Sequence, residues 1–81
     1  MKKVKYIKTL DGMQGVAKLY STDNKENPFI VVSRANTFDR GDETMIFPGT
    51  ENGIKSYGDL YAGYGEDHNT ALTNYGIETI K

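Results

Sequence analysis

Residues 29–33 read FIVVS, the most apolar run of the chain, with no polar alternation in it. A β-branched run of this kind suits a strand buried on both faces, and such a strand needs sheet neighbours on either side and cover above and below. At 81 residues the chain supports one core of this sort. A second would leave each half near the ~40 residues below which domains usually need disulfides, metals or partners. The expectation is a single domain, residues 1–81, built around one sheet.

The segments around this run are also strand-length. Val4, Tyr6, Ile7 and Leu10 form a β-prone run with lysines between them, followed by Asp11 and Gly12, a pair that favours a turn. Residues 13–20 (MQGVAKLY) alternate imperfectly, with Val16, Lys18 and Tyr20 on one side and Ala17 and Leu19 on the other. These two runs read as a hairpin. Residues 21–28 (STDNKENP) are polar and end in proline, which marks a loop. Residues 44–47 (TMIF) make a short strand that Pro48 and Gly49 should stop, and residues 77–80 (IETI) make a final one.

Residues 57–76 (YGDLYAGYGEDHNTALTNYG) hold four tyrosines, four glycines and the only histidine. Ser56 and Asp59 have capping-box spacing, and Tyr57, Leu60, Tyr61 and Tyr64 recur at helical intervals, so a helical turn ending at Gly63 is expected. Asp67 then caps a second helix whose apolar side carries Ala71, Leu72 and Tyr75. Gly76 stands where a left-handed residue ends it, with Ile77 folding back on Leu72.

The fold expected is α+β: a mainly antiparallel sheet of four or five strands with one short C-terminal helix packed on it. The core should comprise Val4 or Ile7, Val16, Leu19, Phe29, Val31, Val32, Ile46, Leu60, Leu72 and Ile77.

Composition excludes several chemistries. There is no cysteine, hence no disulfide, thiolate metal site or cysteine nucleophile. The start of the chain has no apolar stretch long enough for a signal peptide, and no run is long enough to span a membrane, so a cytoplasmic protein is expected. Residues 63–67 (GYGED) approach a helix with glycines, yet Glu66 and Asp67 already bring negative charge there and no P-loop lysine follows. His68 falls on the apolar side of its helix, so a half-buried, hydrogen-bonded ring is the simplest role for it. With no second histidine, a metal site would need an unusual carboxylate shell, and no metal or cofactor is expected. Ser21, Ser33 and Ser56 could each join a Ser-His-Asp arrangement only formally, because no nucleophile elbow accompanies them. Residues 23–27 and 39–43 offer oxygen ligands without EF-hand spacing and read as polar loops. Arg40, Gly41 and Asp42 spell the adhesion tripeptide, a match too short to use. No catalytic residue is assigned.

Two surfaces remain as candidates. The first carries Tyr57, Tyr61 and Tyr64 as anchors with Asp59, Glu66 and Asp67 as charge complement, a composition suited to protein binding. The second is the lysine row Lys2, Lys3, Lys5 and Lys8. The formal net charge is only −1, but residues 1–20 hold five lysines against one acid, whereas residues 21–81 hold ten acids against five bases. Lysines interleaved with Tyr6 could follow a phosphate backbone. The bland reading is an edge strand that its lysines protect from pairing with another chain. By alternation Lys3 and Lys5 lie opposite Val4 and Tyr6, which places Tyr6 inside.

The size, the lack of cysteine, the lysine-rich start and the stretch DHNTALTNYGI at residues 67–77 resemble small accessory proteins encoded by bacteriophages. That resemblance implies a cytoplasmic inhibitor, within the host cell, that binds and blocks a host macromolecule without catalysis. It carries no residue roles. The expected function is therefore protein binding. Nucleic-acid binding through the lysines is the second expectation, and a small-ligand pocket in a homo-oligomer is the third.

Overall fold

A computed structural model describes residues 3–10, 16–37 and 41–80. The elements are β1 (Lys3–Leu10), β2 (Val16–Thr22), β3 (Phe29–Thr37), β4 (Gly41–Thr50), β5 (Gly53–Ile54), β6 (Tyr61–Tyr64), α1 (His68–Tyr75) and β7 (Glu78–Ile80). They form a mainly antiparallel, curled sheet with one short helix on it, as the α+β expectation holds. The order across the sheet is β5-β4-β3-β2-β1-β7, with β6 also paired to β4. Among the described residues this makes seven strands, more than the four or five expected. The surplus is short: β5 has two residues and β7 three.

The FIVVS run lies where its composition requires. β3 sits between β2 and β4, and Ile30, Val31 and Val32 are all fully buried. Val31 packs with Ala17 and Leu19 on one face of the sheet, joined by the half-buried Leu10, Phe29 and Ile54. Ile30 and Val32 pack on the other face with Val4, Tyr20, Ile46, Leu72 and Ile77, beneath α1. Each such aliphatic side chain contributes about 1.5–3 kcal/mol through burial.

The helix forms because both its ends are specified. The Asp67 carboxylate accepts from the Thr70 amide at 2.7 Å, and Gly76 adopts φ 92°. The Gly76 amide donates to the Thr73 carbonyl at 3.0 Å and the Ile77 amide to the Leu72 carbonyl at 2.8 Å, a complete Schellman end. Ile77 then joins Leu72 in the core.

Four expectations are corrected. First, no helical turn forms at 57–63: residues 55–60 are irregular and Tyr61–Tyr64 is a strand along β4. Second, β4 does not stop at Pro48. The Pro48 carbonyl accepts from the Lys55 amide, on the side away from β3, and in an antiparallel strand a residue's nitrogen and carbonyl face the same way. The missing N–H therefore removes no rung with Ile30, the β3 residue opposite.

Third, Val16 and Tyr6 are not core residues, being 49% and 46% exposed, and Ile7 is 44% exposed while Val4 is buried. Val16 opens β2, and Tyr6 lies just beyond the part of β1 that β7 pairs, so each sits at a margin of the sheet. Fourth, Leu60 and Phe29 only line the core, while Ala17, Tyr20, Ile30, Phe47 and Ala71 enter it. The turn expected at Asp11 and Gly12 lies outside the described residues.

Candidate protein-binding surface

β6 is positioned by the outer edge of β4, with Tyr61 opposite Ile46, Ala62 opposite Met45, Gly63 opposite Thr44 and Tyr64 opposite Glu43. Directly opposed residues share a face and neighbours along a strand alternate. Tyr61 therefore lies on the helix face with Ile46, and Tyr64 on the other face with Glu43, Met45 and Phe47. Tyr57, in the loop after β5, sets its ring edge-on to Phe47 at a centroid distance of 5.9 Å. The structure thus brings Tyr57 and Tyr64 to one face and puts Tyr61 on the opposite one.

The six residues divide by task as well. Tyr61 is half-buried, lies 5.9 Å from the Tyr75 ring and donates its hydroxyl to the Glu66 carboxylate at 2.8 and 3.0 Å. That carboxylate holds the phenol proton and raises the Tyr61 pKa, with burial adding to the effect. Glu66 folds over Gly63, where an added Cβ would collide with its carboxylate. The Glu66 backbone carbonyl accepts from the fully buried Thr44 hydroxyl. Asp67 is exposed and caps α1; its hydrogen bonds from Thr70 lower its pKa. Tyr61, Glu66 and Asp67 thereby fix the joint between β6 and α1.

Tyr57, Asp59 and Tyr64 have the exposure a contact residue needs. Tyr57 is 77% exposed and Tyr64 48%, while Asp59 is exposed beside Gly58, whose amide donates to the Ser56 hydroxyl at 3.2 Å. Ala62, exposed, and Met45, half-buried, lie on the same face. Sequence spacing missed both because it assigned this stretch a helical period, and YAGY carries no period-two alternation that would mark a strand.

His68 is buried, and its Nε2 lies 3.0 Å from the Val16 carbonyl. A carbonyl can only accept, so Nε2 carries the proton. Burial chiefly lowers the His68 pKa, with the charges of Lys18 and Arg34 adding to this. Ser21 and Ser33 share the face of Leu19 and Val31, opposite the helix, so neither meets His68. Among the described residues no three His, Cys, Asp or Glu side chains are grouped to hold a metal. No helix among them is long and apolar enough to cross a membrane.

Lys3, Lys5 and Lys8 are exposed on β1, and Lys2 lies outside the described residues. Comparison with protein-family models, curated proteins and solved structures finds no match to this chain.

Proposed function

We propose that the protein is a non-catalytic binding domain that blocks a site on a partner protein by occupying it. The observation that carries this reading is Tyr57: a large aromatic ring left 77% in solvent, yet supported edge-on by the buried Phe47. Folding gains little from a ring held in that position. A partner gains a stiff apolar anchor with little side-chain entropy to lose. Tyr64 and Ala62 extend the contact along the same face, and Asp59 and Glu43 favour a partner with basic groups around an apolar centre. The resemblance to small phage accessory proteins supports steric inhibition over turnover.

The test compares immobilised wild-type protein with Tyr57→Ser/Tyr64→Ser for capture from host lysate. The expected outcome is loss of a specific captured protein, by about tenfold or more, with the thermal transition nearly unchanged. Equal capture by both would show that the patch is misplaced. Tyr61→Ser is the informative contrast, because it should lower the melting temperature through the β6–α1 joint.

A further inference from the structure

The pairing of β1 with β2 contains a shift that alternation cannot show. Lys5 is opposite Ser21 and Tyr6 opposite Tyr20, but Lys8 is opposite Leu19, so Ile7 is an extra residue. Such a bulge inverts the alternation beyond it. Lys8 therefore joins Lys5 and Lys3 on one face of the strand, where regular alternation would put it on the other. The rungs of Lys5 and Lys8 are two β2 residues apart, or roughly 7 Å.

β7 covers only the first part of β1, pairing Glu78 with Lys3, Thr79 with Val4 and Ile80 with Lys5. Among the described residues nothing pairs with the outer edge of β1 from Tyr6 to Leu10. Along that edge the exposed Ile7 separates two kinds of side chain. On one face stand Lys5 and Lys8; on the other stands Tyr6, held edge-on by Tyr20 at 5.9 Å with the Lys18 ammonium 6.0 Å from its ring centre. β1 and β2 contain four lysines and no acidic residue. Of the four, Lys3, Lys5 and Lys8 are exposed and Lys18 is half-buried.

We propose that this edge binds a single strand of nucleic acid, with phosphates along Lys5 and Lys8 and a base against Tyr6 beside Lys18. A supported aromatic next to a cation is a stacking platform, and a row of lysines is a backbone track. An acidic protein strand would need a regular ladder of backbone groups, which the bulge interrupts. The site lies about 19 Å across the sheet from Tyr64 and is independent of the protein-binding surface.

Fluorescence anisotropy with labelled oligo-dT and oligo-rU tests it, with a DNA duplex, an abasic strand and oligoglutamate as competitors. Four lysines predict a log–log salt slope of about −2 to −3, or roughly a 20- to 50-fold loss between about 50 and 200 mM salt. Lys5→Gln/Lys8→Gln should make the slope shallower by about 1.4, with unchanged melting. Tyr6→Leu, which keeps apolar cover over Tyr20, should weaken oligo-dT binding about tenfold and leave the abasic strand unaffected. Preference for one oligonucleotide identifies DNA or RNA as the ligand. The proposal is overturned if neither binds at low salt, if duplex or oligoglutamate competes equally, or if the lysine variant binds as wild type does.

Discussion

Residues 56–65 and 67–77 begin alike and end differently. Each opens with a capping residue and carries apolar side chains at helical intervals, yet the first becomes a bend and strand and the second a helix. Interior propensity does not separate them well, since α1 is built largely from Asn, Thr, His and Tyr. Their ends do. The Asp67 carboxylate bonds the amide three residues on, and Gly76 closes the other end. The Ser56 hydroxyl instead accepts from Gly58, two residues on, which makes a turn. Gly58 and Gly63 would each cost a helix about 1 kcal/mol, and the edge of β4 offers four paired residues in its place. The lesson is that a repeat of apolar spacing decides nothing until both termini and the competing edge are considered.

That contrast can be broken most strongly at Leu72. Its side chain is fully buried among core residues of β1, β2, β3 and β4. Leu72→Ala should destabilise the fold by about 3 kcal/mol, seen as a fall of roughly 12–20 °C in the melting temperature. A matched pair of glycine changes sharpens it. Gly76→Ala places a Cβ at φ 92° and should lose about 1–2 kcal/mol in chemical denaturation. Gly58→Ala, with ordinary φ and only the Ser56 hydroxyl near, should stay within about 0.5 kcal/mol of wild type.

The smallest effect distinguishes the two segments by pH. Burial lowers the His68 pKa in the folded state, so the unfolded chain takes up a proton first as the solution is acidified. The stability contributed by neutral His68 is fully present above about pH 6.5 and declines as pH falls toward the lower folded value. Denaturation midpoints measured from about pH 7.5 to 5 should show this decline, and His68→Gln, which can still donate to the Val16 carbonyl, should flatten it. Residues 57–64 hold no histidine.

The legible parts of the molecule were those where local and long-range demands coincide. Residues 29–33 are apolar throughout and lie between two strands, and Asp67, Gly76 and Ile77 specify a helix end within a few residues of one another. The illegible parts depend on register with distant strands. The extra residue at Ile7 appears only when Tyr6 and Lys8 are matched to β2, and it decides which face Lys8 takes. The exposure of Tyr6 goes with a β7 that is remote in sequence and pairs only as far as Lys5. Of the candidate protein-binding residues, composition identified tyrosines and acids but not which of them the β6–α1 joint would consume.

The pairing of Lys3 with Glu78 has a kinetic consequence. The strands β1 to β4 can zip together as a meander of neighbours, each step closing a short loop. β7 joins β1 only by closing nearly the whole described chain. The thermodynamic penalty of that closure grows just logarithmically with length, but non-local pairing of this kind slows folding. During synthesis β1 emerges before the other elements and acquires its parallel neighbour after all of them. Until β7 leaves the ribosome, the flank of β1 at Lys3 to Lys5 stays open, and its lysines guard it against pairing with another nascent chain.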